Sequence, residues 1–182
     1  MSLIEMLVVI IILATVTSMA TAELQTVRRS MQGDGAMRLV MSQLTTAREM
    51  AVTQRRTMEV RFVTGVSGNW IQIWRNEVTG PNPQTRLTNV AFEGNVVYKL
   101  IPTITTDTPD GFGNSGALAF GTANRYTFST DGTLIDQSGN PLNGTVFLAV
   151  PNILQSQRAV TVMGSIGRVR GYKWTGGSWK RV

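Results

Sequence analysis

The chain has no cysteine and no histidine among its 182 residues. Without cysteine, disulfides and thiolate metal sites are excluded. Without histidine, the chain lacks the commonest general base and the commonest zinc ligand. Since the sequence also offers no recognisable pair of converging carboxylates, we expect no enzyme activity, no catalytic residues, no metal site and no cofactor.

Charged residues are scarce as well, at 15% of the chain, whereas glycine occurs 18 times. This composition is typical of a loop-rich β domain, and not of a solvated coiled coil or a disordered tail. The length fits one globular domain with an added element. The formal net charge of +6 is compatible with a nucleic acid, an anionic membrane surface or an acidic partner, and it does not choose among them.

The N-terminal segment is apolar from Met6 to Ala22, with no charge between Glu5 and Glu23. As a helix, residues 1–22 would measure about 33 Å, close to the roughly 30 Å hydrocarbon core of a bilayer. The segment is therefore predicted to be long enough to span a membrane as a single transmembrane helix. Glu5 is unusual there, because a carboxylate at the bilayer centre costs about 2.5–3.5 kcal/mol. Its side chain either reaches the headgroups or pairs with the α-amino group of a neighbouring copy.

Residues 23–56 are predicted to continue the helix with a mixed surface. Apolar residues recur there at three- and four-residue spacing and should pack on the globular part: Leu39, Val40, Leu44, Ala47 and Ala51. Gly33 and Gly35 each cost about 1 kcal/mol relative to alanine inside a helix. We therefore expect a bend or a short break near Gly33.

From residue 57 onward the pattern alternates, which predicts β-strands. A hairpin is predicted over 57–63 and 69–75, with a turn over 79–83. Further strands are predicted over 95–100, 125–129, 133–135, 145–150 and 159–163, followed by a strand or turn over 167–174. The stretch 102–122 is rich in Thr, Asp, Gly and Pro and predicts an exposed loop. The predicted fold class is α+β: a long N-terminal α-helix over 1–56, packed on a mainly antiparallel β-sheet or sandwich head over 57–182.

Two polar patterns in the head have a functional and a plain interpretation. Asp107 and Asp110 could be calcium ligands, but the spacing of an EF-hand loop is missing, which favours turn residues. Residues 143–145 fit a glycosylation sequon and equally a simple turn.

Trp70 and Trp74 lie on one face of a predicted strand, and we interpret them as core residues and not as a ligand platform.

The C-terminal segment concentrates positive charge. Five cations lie in the last fifteen residues: Arg168, Arg170, Lys173, Lys180 and Arg181. Tyr172, Trp174 and Trp179 are interleaved with them, and cations next to aromatic rings are the general means of sequence-tolerant DNA binding. Arg168 and Arg170 alternate, so they should project from one face. A basic strand at a sheet edge also prevents aggregation, so both interpretations stay open.

The first ten residues, Met1-Ser2-Leu3-Ile4-Glu5-Met6-Leu7-Val8-Val9-Ile10, resemble the mature N-terminus of type IV pilins and type II secretion pseudopilins. The resemblance implies that prepilin peptidase removes a basic leader before Met1, that Met1 is N-methylated and that Glu5 acts in assembly. It further implies storage in the inner membrane through residues 1–22. Inner-membrane machinery would then assemble the chain with identical or homologous pilin subunits into an extracellular or periplasmic filament. The family often has Gly and Pro where this chain has Ala14 and Ala22, which leaves local melting of the helix open.

The head resembles the GspH/FimT type of pseudopilin and minor pilin. The similar segments are 47–51, 128–133, 160–162 and 167–170. In DNA-uptake minor pilins of the FimT kind, a Gly-Arg-any-Arg segment contacts DNA, and Gly167 to Arg170 matches it. The resemblance implies a structural filament subunit first, with a DNA-binding minor pilin or a minor pseudopilin of a type II secretion system as alternatives.

Overall fold

A computed structural model describes residues 2–65, 68–78, 83–121 and 125–182, with the backbone alone at residues 19–23 and 26. The predicted α+β class is confirmed, since a long N-terminal α-helix packs on two antiparallel β-sheets. The helix is α1 (Leu3–Gln54). The strands in chain order are β1 (Met58–Gly65), β2 (Gly68–Asn76), β3 (Gln84–Ala91), β4 (Val97–Tyr98), β5 (Leu118–Ala119), β6 (Tyr126–Phe128), β7 (Leu134–Ile135), β8 (Gly144–Ala149), β9 (Arg158–Met163), β10 (Arg168–Trp174) and β11 (Trp179–Arg181). Two short 3₁₀ helices span Leu154–Ser156 and Gly164–Ile166.

Helix α1 has 52 residues and is therefore about 78 Å long at 1.5 Å per residue. Its end is marked by Arg55 in the left-handed conformation, with a φ of 50°. Of the bend or short break predicted near Gly33, the break is wrong, because the helix runs through this residue without interruption. The bend stays a prediction. Gly33 instead lets the head approach closely: a Cβ at this position would lie 2.5 Å from the carbonyl oxygen of Ser156.

The strands form a five-stranded sheet in the order β3-β2-β1-β6-β7 and a six-stranded sheet in the order β11-β10-β9-β8-β4, with β5 also paired to β8. Every strand pair is antiparallel, and the predicted hairpin is formed by β1 and β2, with Gly65 opposite Gly68. Helix α1 contacts strands of both sheets. The main core therefore lies where the helix and the two sheets meet.

The apolar stripe predicted on α1 is confirmed. Val40, Leu44, Ala47 and Ala51 are buried, and Leu39 is partly buried against the same core. Alternate residues of the strands, such as Ile71 and Ile73, complete this core from the sheet side.

The loop between β4 and β5 differs from its predicted role as an exposed loop. It packs on the outer face of the six-stranded sheet, where Ile104 is only 3% exposed. With Phe147, Tyr172, Trp174 and Trp179 it forms a second, smaller core. This contact could not be predicted from the polar composition of the loop, because a few apolar side chains are enough to hold the loop on the sheet.

Three strands were not predicted. Strand β3 has an irregular burial pattern, and β5 and β11 are two and three residues long. Short strands form because an edge is available for pairing, which depends on remote parts of the chain. Residues 79–82 of the predicted turn lie outside the described residues.

Candidate functional site

Helix α1 begins with an exposed stretch that is largely apolar over residues 3–16. Every described side chain from Leu3 to Arg29 is exposed. Among the large apolar side chains of residues 3–16, the exposed fraction runs from 45% at Val9 to 86% at Leu3. Such a surface is far larger than the scattered apolar residues that soluble proteins normally expose.

The N-terminus of α1 is closed by a capping box. The Ser2 hydroxyl accepts a hydrogen bond from the Ile4 backbone N–H, and a Glu5 carboxylate oxygen accepts one from the Ser2 backbone N–H, both at 3.4 Å. Glu5 is exposed, so its carboxylate remains reachable from outside the chain. This local role of Glu5 was not among the sequence-based predictions, which concerned the membrane and assembly, although the Ser-x-x-Glu spacing is its known signal.

The predicted membrane segment 1–22 includes Met1 and the side chains of residues 19–22, which lie outside the described residues. Within the part of the chain that is described, no helix meets the combined requirement of length and apolar character for crossing a membrane. N-methylation of Met1 stays a prediction.

Arg158 joins the head to the middle of α1. Its side chain is fully buried and forms an ion pair with Asp34, with Nε 2.6 Å from Oδ1. It also donates to the backbone carbonyls of Gln155 at 2.7 Å, Gln157 at 2.9 Å and Ser30 at 3.1 Å, and to the Ser30 hydroxyl at 2.9 Å. We call Arg158, Asp34 and Ser30 the helix clamp.

The clamp also sets the charge state of Asp34. Partial burial alone would raise the pKa of Asp34, but the hydrogen bond and the positive charge of Arg158, with smaller contributions from Lys173 and Arg38, hold it below its ordinary value. Asp34 is therefore ionised at neutral pH. No local sequence pattern indicates this pair, since its members are 124 residues apart.

The five C-terminal cations do not share one surface. Arg168 and Arg170 alternate on β10 and share a face, as predicted from their spacing. Register places Arg181 opposite Tyr172, on that same face, but Lys173 opposite Lys180, on the other face. The sheet therefore divides the predicted set into three arginines and two lysines.

The guanidinium of Arg170 already forms an ion pair within the chain. Its Nη1 lies 2.6 Å from Oδ1 of Asp110, while Thr161 and Tyr172 donate their hydroxyl hydrogens to Oδ2 of the same carboxylate at 2.6 and 2.9 Å. Burial alone would raise the pKa of Asp110, but these three donors and the charge of Arg170 lower it. Asp110 thus links the loop between β4 and β5 to β9 and β10. We call this loop, residues 99–117, the covering loop. A nucleic acid would have to compete with Asp110 for Arg170.

Three of the four body segments that carry the GspH/FimT resemblance, 47–51, 128–133 and 167–170, meet at Arg48. A Cβ at Gly132, in the β6–β7 turn, would lie 3.1 Å from Arg48 Nε. A Cβ at Gly167, whose φ is 61°, would lie 2.6 Å from Arg48 Cδ. Both glycines therefore let their turns pack on the same helix side chain.

The interpretation of Trp70 and Trp74 as core residues is wrong. They lie on one face of β2, as predicted, but this is the outer face. Ile71 and Ile73, on the opposite face of the strand, point into the core. A Cβ at Gly65 would lie 2.6 Å from Trp70 Cζ3, so that ring rests on the hairpin.

Around Trp74 the outer face of the five-stranded sheet is rich in arginine. The guanidinium carbon of Arg61 lies 4.4 Å from the centroid of the Trp74 ring, and that of Arg86 lies 5.8 Å from it. Arg125 lies 3.7 Å from the Glu59 carboxylate, which Arg61 also contacts at 2.6 Å. We call Arg61, Trp74, Arg86 and Arg125 the arginine face. These residues come from four separate places in the sequence, so no local motif could reveal them.

Glu59 is the buried carboxylate that holds the arginines of the arginine face in place. It is 5% exposed and accepts a hydrogen bond from the Gln84 amide at 2.7 Å, and Gln84 in turn accepts one from Arg61. Burial alone would raise the pKa of Glu59, but Arg61, Gln84 and Arg125 lower it. The guanidinium of Arg61 is thereby held in place by a carboxylate, an amide and an indole ring.

Asp107 and Asp110 do not form a calcium site with a third acidic residue: within the described ranges, no group of three or more acidic residues could hold a metal ion. Asp107 instead accepts hydrogen bonds from the backbone N–H groups of Thr108 at 2.6 Å and Gly113 at 2.8 Å, as a turn residue does.

The architecture, one long N-terminal helix packed on antiparallel sheets, is compatible with a pilin-like fold and does not by itself identify the family. Comparison of the chain with family models, curated proteins and solved structures gives no match.

Proposed function

We propose that this chain is a structural subunit of a type IV pilin-like filament and that it assembles through the first half of α1. The observation that carries this proposal is the apolar surface that residues 3–16 of α1 expose. Moving one Leu, Ile, Val or Met side chain from water into a helix bundle contributes about 1.5–3 kcal/mol. Many such side chains from each copy would stabilise a polymer.

In this proposal Glu5 fixes the position of each copy along the filament. Its carboxylate is exposed and caps its own helix in the single chain, through one hydrogen bond of 3.4 Å. The α-amino group of a neighbouring copy would be a stronger partner, because it carries a full positive charge. N-methylation of Met1, removal of a leader by prepilin peptidase, and passage from the inner membrane to the outside belong to the same proposal.

Two substitutions of Glu5 separate its charge from its capping role. Glutamine can still accept the capping hydrogen bond but cannot form an ion pair, whereas alanine can do neither. We expect Glu5→Gln and Glu5→Ala both to lose filaments in electron micrographs of cells or of purified material. Glu49→Gln, which removes an exposed carboxylate from the part of α1 that packs on the head, should assemble normally.

Two results would contradict this proposal. If Glu5→Gln forms filaments like the unchanged chain, the ion pair between copies is refuted. If the unchanged chain forms no filament with itself or with homologous subunits, the structural role is refuted. A minor pseudopilin of a type II secretion system would assemble by the same contacts, and the neighbouring genes distinguish it.

A second proposal, DNA capture by the head, draws on the shared face of Arg168, Arg170 and Arg181. Changing Arg168 and Arg170 together to glutamine should weaken oligonucleotide binding and reduce its dependence on salt. An unchanged affinity and salt slope would exclude this role.

A further inference from the structure

The outer faces of the two sheets differ in how accessible they are. The loop between β4 and β5 covers the outer face of the six-stranded sheet, where Tyr172 and Trp174 are buried. On the five-stranded sheet, Trp74 remains partly exposed, Arg86 is exposed, and the Arg125 side chain is 59% exposed. The arginine face is thus accessible in the single chain.

The charges of the arginine face are unbalanced. Glu59 is the carboxylate within 4 Å of Arg61 and Arg125, so one negative charge faces two positive ones. Among the described residues, Arg86 has no carboxylate within that distance, and it lies over Trp74. A planar guanidinium held against an indole ring keeps its N–H edges free for a carboxylate, which it can bind through two parallel hydrogen bonds.

The aromatic rings argue against a single-stranded nucleic acid as the partner. Sequence-tolerant nucleic acid binding needs open ring faces on which bases stack. The Trp74 ring is covered by the guanidinium of Arg61 at 4.4 Å, and the Trp70 ring rests against Gly65. The groups that remain available for a partner are charges and hydrogen-bonding groups. They include the amides of Gln72 and Asn89: Gln72 donates to Asn89 at 3.1 Å and accepts from the Trp74 indole at 2.9 Å, which leaves the Asn89 NH₂ group and one N–H of Gln72 for a partner.

We propose that the arginine face binds an acidic polysaccharide, whose carboxylates pair with Arg86 and Arg125 and whose hydroxyl groups meet the amides of Gln72 and Asn89. The face lies on the side of the five-stranded sheet opposite to the core and α1. In a filament with its helices inside, it would point outward. Only this orientation rests on the proposed function, because binding by single chains needs no filament.

The test measures binding of polygalacturonate to the full chain, kept as single copies in a non-ionic detergent. Binding of the unchanged chain is compared with that of Arg86→Gln/Arg125→Gln, and a matched control, Arg29→Gln/Arg55→Gln, removes two exposed positive charges that lie outside both proposed binding faces. Fully methyl-esterified polygalacturonate serves as the uncharged probe, and a single-stranded oligonucleotide serves as the other polyanion. Circular dichroism checks that each variant is folded.

We expect the unchanged chain and the control to bind polygalacturonate equally, and Arg86→Gln/Arg125→Gln to bind it about tenfold or more weakly, the loss of one to two charge-assisted contacts. The esterified polymer should not bind. Trp74→Leu should also weaken binding although it leaves the net charge unchanged, because the ring positions two guanidiniums.

Three results would overturn the proposal. The first is equal loss of affinity in the control variant, which would mean that net charge alone attracts the polymer. The second is tighter binding of the oligonucleotide through the arginine face than of polygalacturonate. The third is no measurable binding of polygalacturonate by the folded, unchanged chain. None of these results depends on whether filaments form.

Discussion

The helix clamp should contribute measurably to the attachment of the head to α1, and Asp34→Asn tests this contribution. The substitution keeps the shape of the side chain but removes its negative charge, so Arg158 remains buried without a carboxylate. Four of the five hydrogen bonds of Arg158 go to other groups and should survive.

The expected loss follows from what is removed. A hydrogen bond to a charged group contributes about 1.5–3 kcal/mol, and removing one partner of a fully buried ion pair costs about 3–5 kcal/mol. The Asp34 side chain is 30% exposed, and the remaining partners of Arg158 compensate in part, which favours the lower values. We expect a decrease of about 2 kcal/mol in the free energy of unfolding. For a chain of this size, that is a decrease of about 4–8 °C in Tm.

The measurement is urea unfolding followed by tryptophan fluorescence, with the full chain in a non-ionic detergent. Glu49→Gln is the matched control, since it removes an exposed carboxylate from the same helix. Hydrogen exchange of backbone amides in residues 30–44 gives a local readout, and protection there should fall in Asp34→Asn.

The effect should also depend on pH with a definite sign. The pKa of Asp34 is lower in the folded chain than its ordinary value of 3.8, so its stabilisation is fully present above that value. It is lost as the pH falls through the folded pKa. The difference in stability between the unchanged chain and Asp34→Asn should therefore shrink below about pH 4.

Two results would refute this reasoning. One is an unchanged urea midpoint in Asp34→Asn at neutral pH. The other is an equal decrease in Glu49→Gln, which would show that the charge of the helix and not the clamp is responsible.

Further substitutions test the packing of the helix and of the covering loop. Gly33→Ala should destabilise the chain by about 1–3 kcal/mol in thermal unfolding, because its Cβ would meet the Ser156 carbonyl. Gly35→Ala, at an exposed position with no atom within 4 Å of its Cβ, should be neutral or stabilise by up to about 1 kcal/mol, and equal effects of the two would refute the close approach. Asp110→Asn weakens the acceptor of three hydrogen bonds and should speed proteolysis within residues 99–121, as mass spectrometry of the fragments would show. An unchanged cleavage rate there would mean that the apolar contacts alone hold the loop.

Much of the architecture could be predicted from local patterns. The apolar spacing on α1 identified the buried side chains Val40 and Leu44, because a helix presents every third or fourth residue to one side. The alternation in β1 and β2 identified their hairpin for the corresponding reason. Strand β3 was missed because its alternation is irregular, with a register shift between Ile73 and Trp74 of its partner strand.

The candidate sites were harder to predict, because spacing along a strand gives the relative side of two residues but not which side is buried. Trp70 and Trp74 do share a face, yet it is the outer one. Lys173 falls on the opposite face from Arg170, although it lies only three residues away. An odd separation on a strand always has this result.

Local sequence patterns are enough to establish that an apolar helix precedes a β-rich head, and that Ser2 and Glu5 stand at the spacing of a capping box. These are local properties, set by helical and strand periodicity. Three arrangements depend on the tertiary fold alone: Arg170 pairs with Asp110, Arg158 is buried against Asp34, and three arginines from separate strands or their flanks gather around Trp74 and Glu59. Residues so far apart in the chain meet through the order and register of the strands, which no local pattern encodes.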